Sequence, residues 1–179
     1  MQEDVNRKIL YQDYILKSFS HLIYIMGVQF DCGEVSISCG YGTWNEIRFY
    51  IAKACLDFFI ELTKDVDPNV RDISTQYHCH LLDLVEGIQK RNPESIVDFL
   101  SAIEDYETHN TLIFFGMNGL HKLIAKSDCE GFYSPGDSMD IGNMLTLIEP
   151  YLSSQCEDIT QFKELFIASV VFNENVMIS

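Results

Sequence analysis

Basic residues are scarce in this chain: 12 lysines and arginines stand against 27 aspartates and glutamates, a formal net charge of −15 over 179 residues. The richest basic run is Lys90-Arg91. Nucleic-acid binding through phosphate contacts needs a basic patch and is not expected. Long apolar runs are missing as well. No window reaches the roughly 18 uncharged residues of a membrane span, and the opening MQEDVNRKIL carries charge where an export signal needs its apolar stretch. The expectation is a soluble, cytoplasmic protein with no membrane partner.

Motifs that carry chemistry are also lacking. Six residues separate Cys32 from Cys39 in DCGEVSISC, which is neither the CxxC of a redox site nor half of a zinc site with a visible second half. The six cysteines are expected as reduced thiols, with Cys55 and Cys79 acting as small core residues of helices. There is no GxSxG elbow and no HExxH, and the glycines of GYGTWNE and FGMNG come without the lysine and spacing of a phosphate loop. Asp65-Val66-Asp67-Pro68-Asn69 imitates the start of a calcium loop, but Val70 stands where glycine is needed and Gln76 where glutamate is needed. His78 and His80 point about 200° apart on a helix and cannot share a metal, so His80 reads as a core-edge histidine. Nothing local supports His109 or His121 as a catalytic base. No catalytic site, cofactor or metal is expected, and the chain reads as a non-enzyme.

What is present is apolar content of 47%, enough for one domain spanning residues 1–179. Its periodicity is helical almost throughout. Ile9, Leu16, Phe19, Ile23 and Met26 predict a first helix over about 5–27. VQFDCGEVSISCGYG breaks the pattern: Val35, Ile37 and Cys39 alternate among glycines, predicting a long loop with at most one short hairpin arm. Thr43 and Glu46 of TWNE have the spacing of a capping box, predicting a helix from there to about Lys64. Ile47, Ile51, Ala54, Phe58 and Leu62 share one face of it and other apolar residues cover most of the rest, so it should be the centre of the domain.

Asp67 and Pro68 then cap and begin a helix whose stripe is Val70, Ile73, Tyr77, Leu81, Leu84 and Ile88. Asn92 and Pro93 repeat the device before Ile96, Leu100 and Ile103. A fifth helix is expected near 110–126, where Gly116 and Gly119 signal either the close approach of a neighbour or a break. A sixth carries Ile141, Leu145 and Ile148 up to Pro150, and a last one runs from about Glu157 to Phe172 with Ile159, Phe162, Phe166 and Ser169 or Val170 inward. The expected class is all-α: stacked antiparallel hairpins or an irregular bundle of about seven helices.

ELTKDVDPNVRDISTQYHCHLLDLV resembles one HEAT-type helical hairpin: a first helix ending at Leu62, then Asp65, Asp67, Pro68, Val70 and Arg71, then a second helix with Ile73, Leu81 and Leu84. The likeness covers about residues 44–88. It implies a HEAT-like short superhelix whose concave side binds protein segments.

The acids gain meaning when placed on helices. Asp57 and Glu61 are i, i+4 neighbours, as are Glu94 and Asp98; Asp83 and Glu86 are i, i+3; and Glu104, Asp105, Tyr106 and Glu107 close the fourth helix. Like charges at these spacings oppose an isolated helix by tenths of a kcal/mol each. Aligned on one face, they would meet the lysines and arginines of a partner and speed its association. Tyr106, Phe132 and Tyr133 are the candidate aromatic anchors. The leading expectation is therefore an acidic protein-binding module that neutralises a basic partner. A small acidic chain of this type resembles bacterial immunity proteins, which block the active site of a nuclease-type toxin. The alternatives are an adaptor that takes a protein segment and an enzyme whose site forms only in three dimensions.

Overall fold

The computed structural model describes residues 27–64, 68–103, 116–126, 131–152 and 157–179. The first sequence-predicted helix lies outside them, as do residues 104–115. Within the described residues the chain is not all-α. Six helices pack with a four-stranded antiparallel sheet of order β2-β1-β4-β3.

β1 (Gly27–Cys32) and β2 (Val35–Gly40) pair as a hairpin in the register Cys32↔Val35 to Gly27↔Gly40. The expected loop is thus two full arms. The two-residue connection puts Gly33 at φ +57, a conformation open to glycine that matches the twist of the strands. Val28, Phe30 and Cys32 point inward and are buried, while Gln29 lies on the open face and donates to Asp31. That hydrogen bond and a second from Ser36 hold the Asp31 carboxyl below its usual range. β3 (Gly131–Tyr133) and β4 (Val176–Ile178) are only three residues each, and β4 sits between β1 and β3. They were missed because three residues carry almost no period-2 signal and their partners are remote in sequence.

α1 (Tyr41–Leu62) follows β2 without a loop. The predicted capping box does not form its start. Gly40 is the N-cap, with no side-chain hydrogen bond, because the sheet ladder carries the chain up to that residue; Thr43 is already inside the first turn. As expected from its apolar girth, α1 is central: Trp44, Ile47, Ile51, Ala54, Cys55 and Phe59 are buried, although Leu62 is exposed. α2 (Pro68–Gln89) and α3 (Pro93–Ile103) begin at the two predicted prolines. The Asp65, Asp67 and Arg71 side chains behind the HEAT likeness fall outside the described residues. Cys79 is exposed rather than in the core.

α4 (Asn118–Ala125) realises both readings of its glycines. Gly116 takes φ +71 at a break just before the helix, and a Cβ on Gly119 would lie 2.4 Å from the Asp140 carbonyl oxygen, so α4 rests directly on the backbone of α5 (Pro135–Ile148). α5 starts with a capping box between Ser134 and Asp137 and runs through a 3-10 turn at Glu149–Tyr151. α6 (Glu157–Phe172) buries Ile159, Phe162, Phe166 and Ser169 as expected, leaving Val170 out. Two aromatic groups tie these layers together. Phe30, Trp44 and Phe162 join sheet, α1 and α6, with Trp44 stacked on Phe162 at 5.3 Å. Phe59, Tyr77 and Phe99 join α1, α2 and α3. Burying each such ring contributes about 1.5–3 kcal/mol.

Candidate partner-binding surface

The turn between α2 and α3 is closed by backbone chemistry. The Asn92 amide donates to the Gly87 carbonyl at 2.9 Å and the Arg91 amide to that of Ile88 at 3.0 Å, with Arg91 in the left-handed region at φ 55, which is the Schellman ending of a helix. The Asn92 side chain then accepts from the Glu94 amide, and the Ser95 hydroxyl donates to the Asn92 carbonyl at 2.7 Å, starting α3. α3 is thereby folded back against α2, and Gly87, lacking a side chain, lets Ser95 fit against it.

A cleft of about 250 Å³ runs along this contact, lined by His80, Asp83, Glu86, Gly87, Lys90, Asn92, Ser95, Asp98 and the buried Phe99. Three of the sequence-predicted acids, Asp83 and Glu86 from α2 and Asp98 from α3, therefore share one recess. Glu86 is matched within the chain: Lys90 donates to it at 2.7 Å, and this hydrogen bond and the ammonium charge hold its carboxyl below the usual range. Asp83 and Asp98 are exposed and make no ion pair among the described residues. His80 is half-buried and lines the cleft together with buried Phe99.

The other predicted acids do not join them. Asp57 is paired with Lys53 at 2.7 Å and Glu61 with Lys64, along the charged strip of α1. Neither lines the cleft. Glu94 is exposed in the first turn of α3, outside the lining, and Glu104, Asp105, Tyr106 and Glu107 lie outside the described residues. Of the aromatic anchors, Phe132 is 47% exposed on the open face of the sheet beside Met177, whereas Tyr133 is buried and its hydroxyl donates to the Leu123 carbonyl at 3.1 Å. Among the described residues no cluster of three His, Cys, Asp or Glu has metal-binding geometry, and no helix is long and apolar enough to cross a membrane. The sequence reading overlooked Lys90 and Asn92 as wall residues, though Asn92-Pro93 marked the turn that brings them there. No family model matches the chain, and no curated protein or solved structure is significantly similar to it.

Proposed function

We propose that this chain is a protein-binding module that receives a basic segment of a partner in the α2–α3 cleft, most concretely as an immunity protein that blocks a nuclease-type toxin. The observation that supports this reading is the pair Asp83 and Asp98, two carboxylates of one recess that make no ion pair among the described residues, Lys90 of the same recess being taken by Glu86. A partner lysine or arginine entering there gains charge-assisted hydrogen bonds, each stronger than a neutral one. The overall charge of −15 draws such a partner in over longer range, so association should slow steeply as salt rises. Buried Phe99 gives the floor of the cleft an apolar surface for the stem of the side chain.

The test is affinity capture from the source cells with the wild-type chain, followed by Asp83→Lys with Asp98→Lys. Capture of a basic protein by the wild type and its loss with the reversed pair is the expected result, with Asp57→Asn as an unaffected control. Undiminished capture by the reversed pair rejects the cleft as the site.

A second reading, an adaptor for an apolar segment, is favoured by Ile167, Val170, Val171 and Phe172 of α6, all exposed, Val171 to 69%. Binding through them would be nearly independent of salt and indifferent to the Asp83 and Asp98 reversals.

A further inference from the structure

The outward side of α6 is apolar over its last two turns. Ile167, Val170, Val171 and Phe172 are exposed, Phe172 to 64%, whereas Thr160, Gln161 and Glu164 make the exposed side polar nearer the start of the helix. The apolar face continues onto α5. The 2.8 Å contact between Ser138 and Ser169 sets the two helices side by side, and Met139, the next residue, is 51% exposed at the level of Val170. No described element covers this face, and a contiguous apolar patch of this kind marks an interaction surface.

Charge discriminates between its occupants. A second copy of the chain would set one charge of −15 against another, which opposes association. Residues 1–26 bring no such repulsion: Arg7, Lys8 and Lys17 balance Glu3, Asp4 and Asp13, leaving 9 of the 12 bases and 24 of the 27 acids, and so the whole net charge, to the rest of the chain. The same residues hold the stripe Ile9, Leu16, Phe19, Ile23 and Met26. A helix with such a stripe is stabilised by the surface that covers it more than by its own propensity.

The point of attachment puts α6 within reach. Residues 1–26 join the described residues at Gly27, the first residue of β1, and β1 lies antiparallel to β4 with Gln29 opposite Ser179. Gly27 thus stands at the end of the sheet where β4 finishes. Asn173, at φ 54, and the hydrogen bond from the Glu174 amide to the Ser169 carbonyl turn α6 back into β4, so the apolar end of α6 lies toward the opposite end of the sheet. A helix over 5–26 would be about 33 Å long against about 24 Å for α6, enough to run from Gly27 past Val171.

We propose that residues 5–26 dock as a helix along α6, antiparallel to it, with Ile9 and Leu16 over Ile167, Val170 and Val171. Lys17 then comes within range of Glu164, which is exposed and makes no ion pair among the described residues. The docking is independent of the acidic cleft, so capture of a basic partner through Asp83 and Asp98 is compatible with its success or failure. It gives to the chain itself the face on which the adaptor reading depends.

The experiment is photo-crosslinking of the full chain with Val171 replaced by p-benzoylphenylalanine, followed by peptide mapping. Crosslinks within one molecule to residues 5–26 are expected, and none to them from the same group placed at Val97, which is exposed on α3. Ile9→Asp with Leu16→Asp should abolish the crosslink from position 171. Ile167→Asp with Val171→Asp should speed amide hydrogen exchange in residues 5–26 about tenfold or more while leaving the amides of α1 as protected as before, a split that general unfolding would not give. Crosslinks from position 171 to a second copy, no crosslink to residues 5–26, or exchange in those residues indifferent to the paired aspartates would each overturn the assignment.

Discussion

Gly87 and Ser95 meet face to face where α2 turns back into α3: a Cβ built on Gly87 would fall 2.1 Å from the Ser95 Cβ and 1.8 Å from its hydroxyl oxygen. The missing side chain sets how closely the two helices approach, and with it the width of the acidic cleft. Gly87→Ala should therefore destabilise the fold by about 1–3 kcal/mol through overpacking, despite the better helix propensity of alanine. Adding Ser95→Gly should recover part of that loss, although glycine near a helix start has its own cost. Urea titration of the four proteins in a double-mutant cycle reads the coupling directly.

Lys122 links α4 to α5, 3.1 Å from Asp137 and 2.6 Å from Asp140. Burial opposes its charge, but hydrogen bonds to Asp140 and Asp137 outweigh that and raise its pKa. Burial likewise works against the Asp137 carboxylate and is outweighed by hydrogen bonds from Ser134 and Lys122, so its pKa is lowered. The lowered carboxyl contributes stability that is present above its unfolded value of about 3.9 and is lost as pH falls through the folded value. The raised ammonium contributes stability that is complete below its unfolded value of about 10.4 and is lost as pH climbs through the folded one. Lys122→Met should cost about 1–2 kcal/mol at neutral pH, by stranding two neighbouring carboxylates. It should also flatten the fall in stability below about pH 4 relative to the wild type. Urea melts at several pH values measure both effects.

Ser138 and Ser169 are fully buried, their hydroxyl oxygens 2.8 Å apart between α5 and α6, and Ser169 also donates to the Glu174 carbonyl at 2.6 Å. Ser169→Ala leaves that carbonyl and the Ser138 hydroxyl each short of a partner, a loss of about 1–3 kcal/mol. Ser138→Ala leaves the Glu174 contact in place and should cost less. Thermal melts resolve the difference, since about 1 kcal/mol moves the midpoint of a chain this size by roughly 2–4 °C.

Lys53–Asp57 lies on the exposed strip of α1. Asp57→Asn should change stability by no more than about 0.5 kcal/mol, as solvent and salt screen such pairs. A thermal melt indistinguishable from wild type therefore qualifies this variant as the control for the acidic-cleft experiment.

The helices were legible where the sequence announces its own boundaries. Pro68 and Pro93 opened α2 and α3, Asn92 capped as expected, and Gly116 and Gly119 marked a break and a close contact. The β1 arm was legible in principle, since Val28, Phe30 and Cys32 alternate as plainly as Val35, Ile37 and Cys39. Reading those glycines as loop hid the hairpin, although Gly33 is its turn and Gly27 and Gly40 are opposite partners in its ladder. β3 and β4 were not legible, because a three-residue strand is specified by partners remote in the chain rather than by a local pattern. The acidic cleft was half legible. Helical spacing gave the acid pairs, but which of them converge depends on how α3 docks on α2. The neighbouring lysines also neutralise Asp57, Glu61 and Glu86 while sparing Asp83 and Asp98.

The position of β4 has a consequence for how the molecule comes into being. Among the described residues β3 hydrogen-bonds to no strand but β4, and Gln29 exchanges both backbone hydrogen bonds with Ser179. During vectorial synthesis the β1–β2 hairpin can close early, yet residues 131–133 wait for 176–178 to clear the ribosome before they gain a neighbour. The sheet is completed by contacts of long sequence separation, the slow kind. Until then the nascent chain presents an open edge of β1, which makes residues 176–178 the segment that covers it.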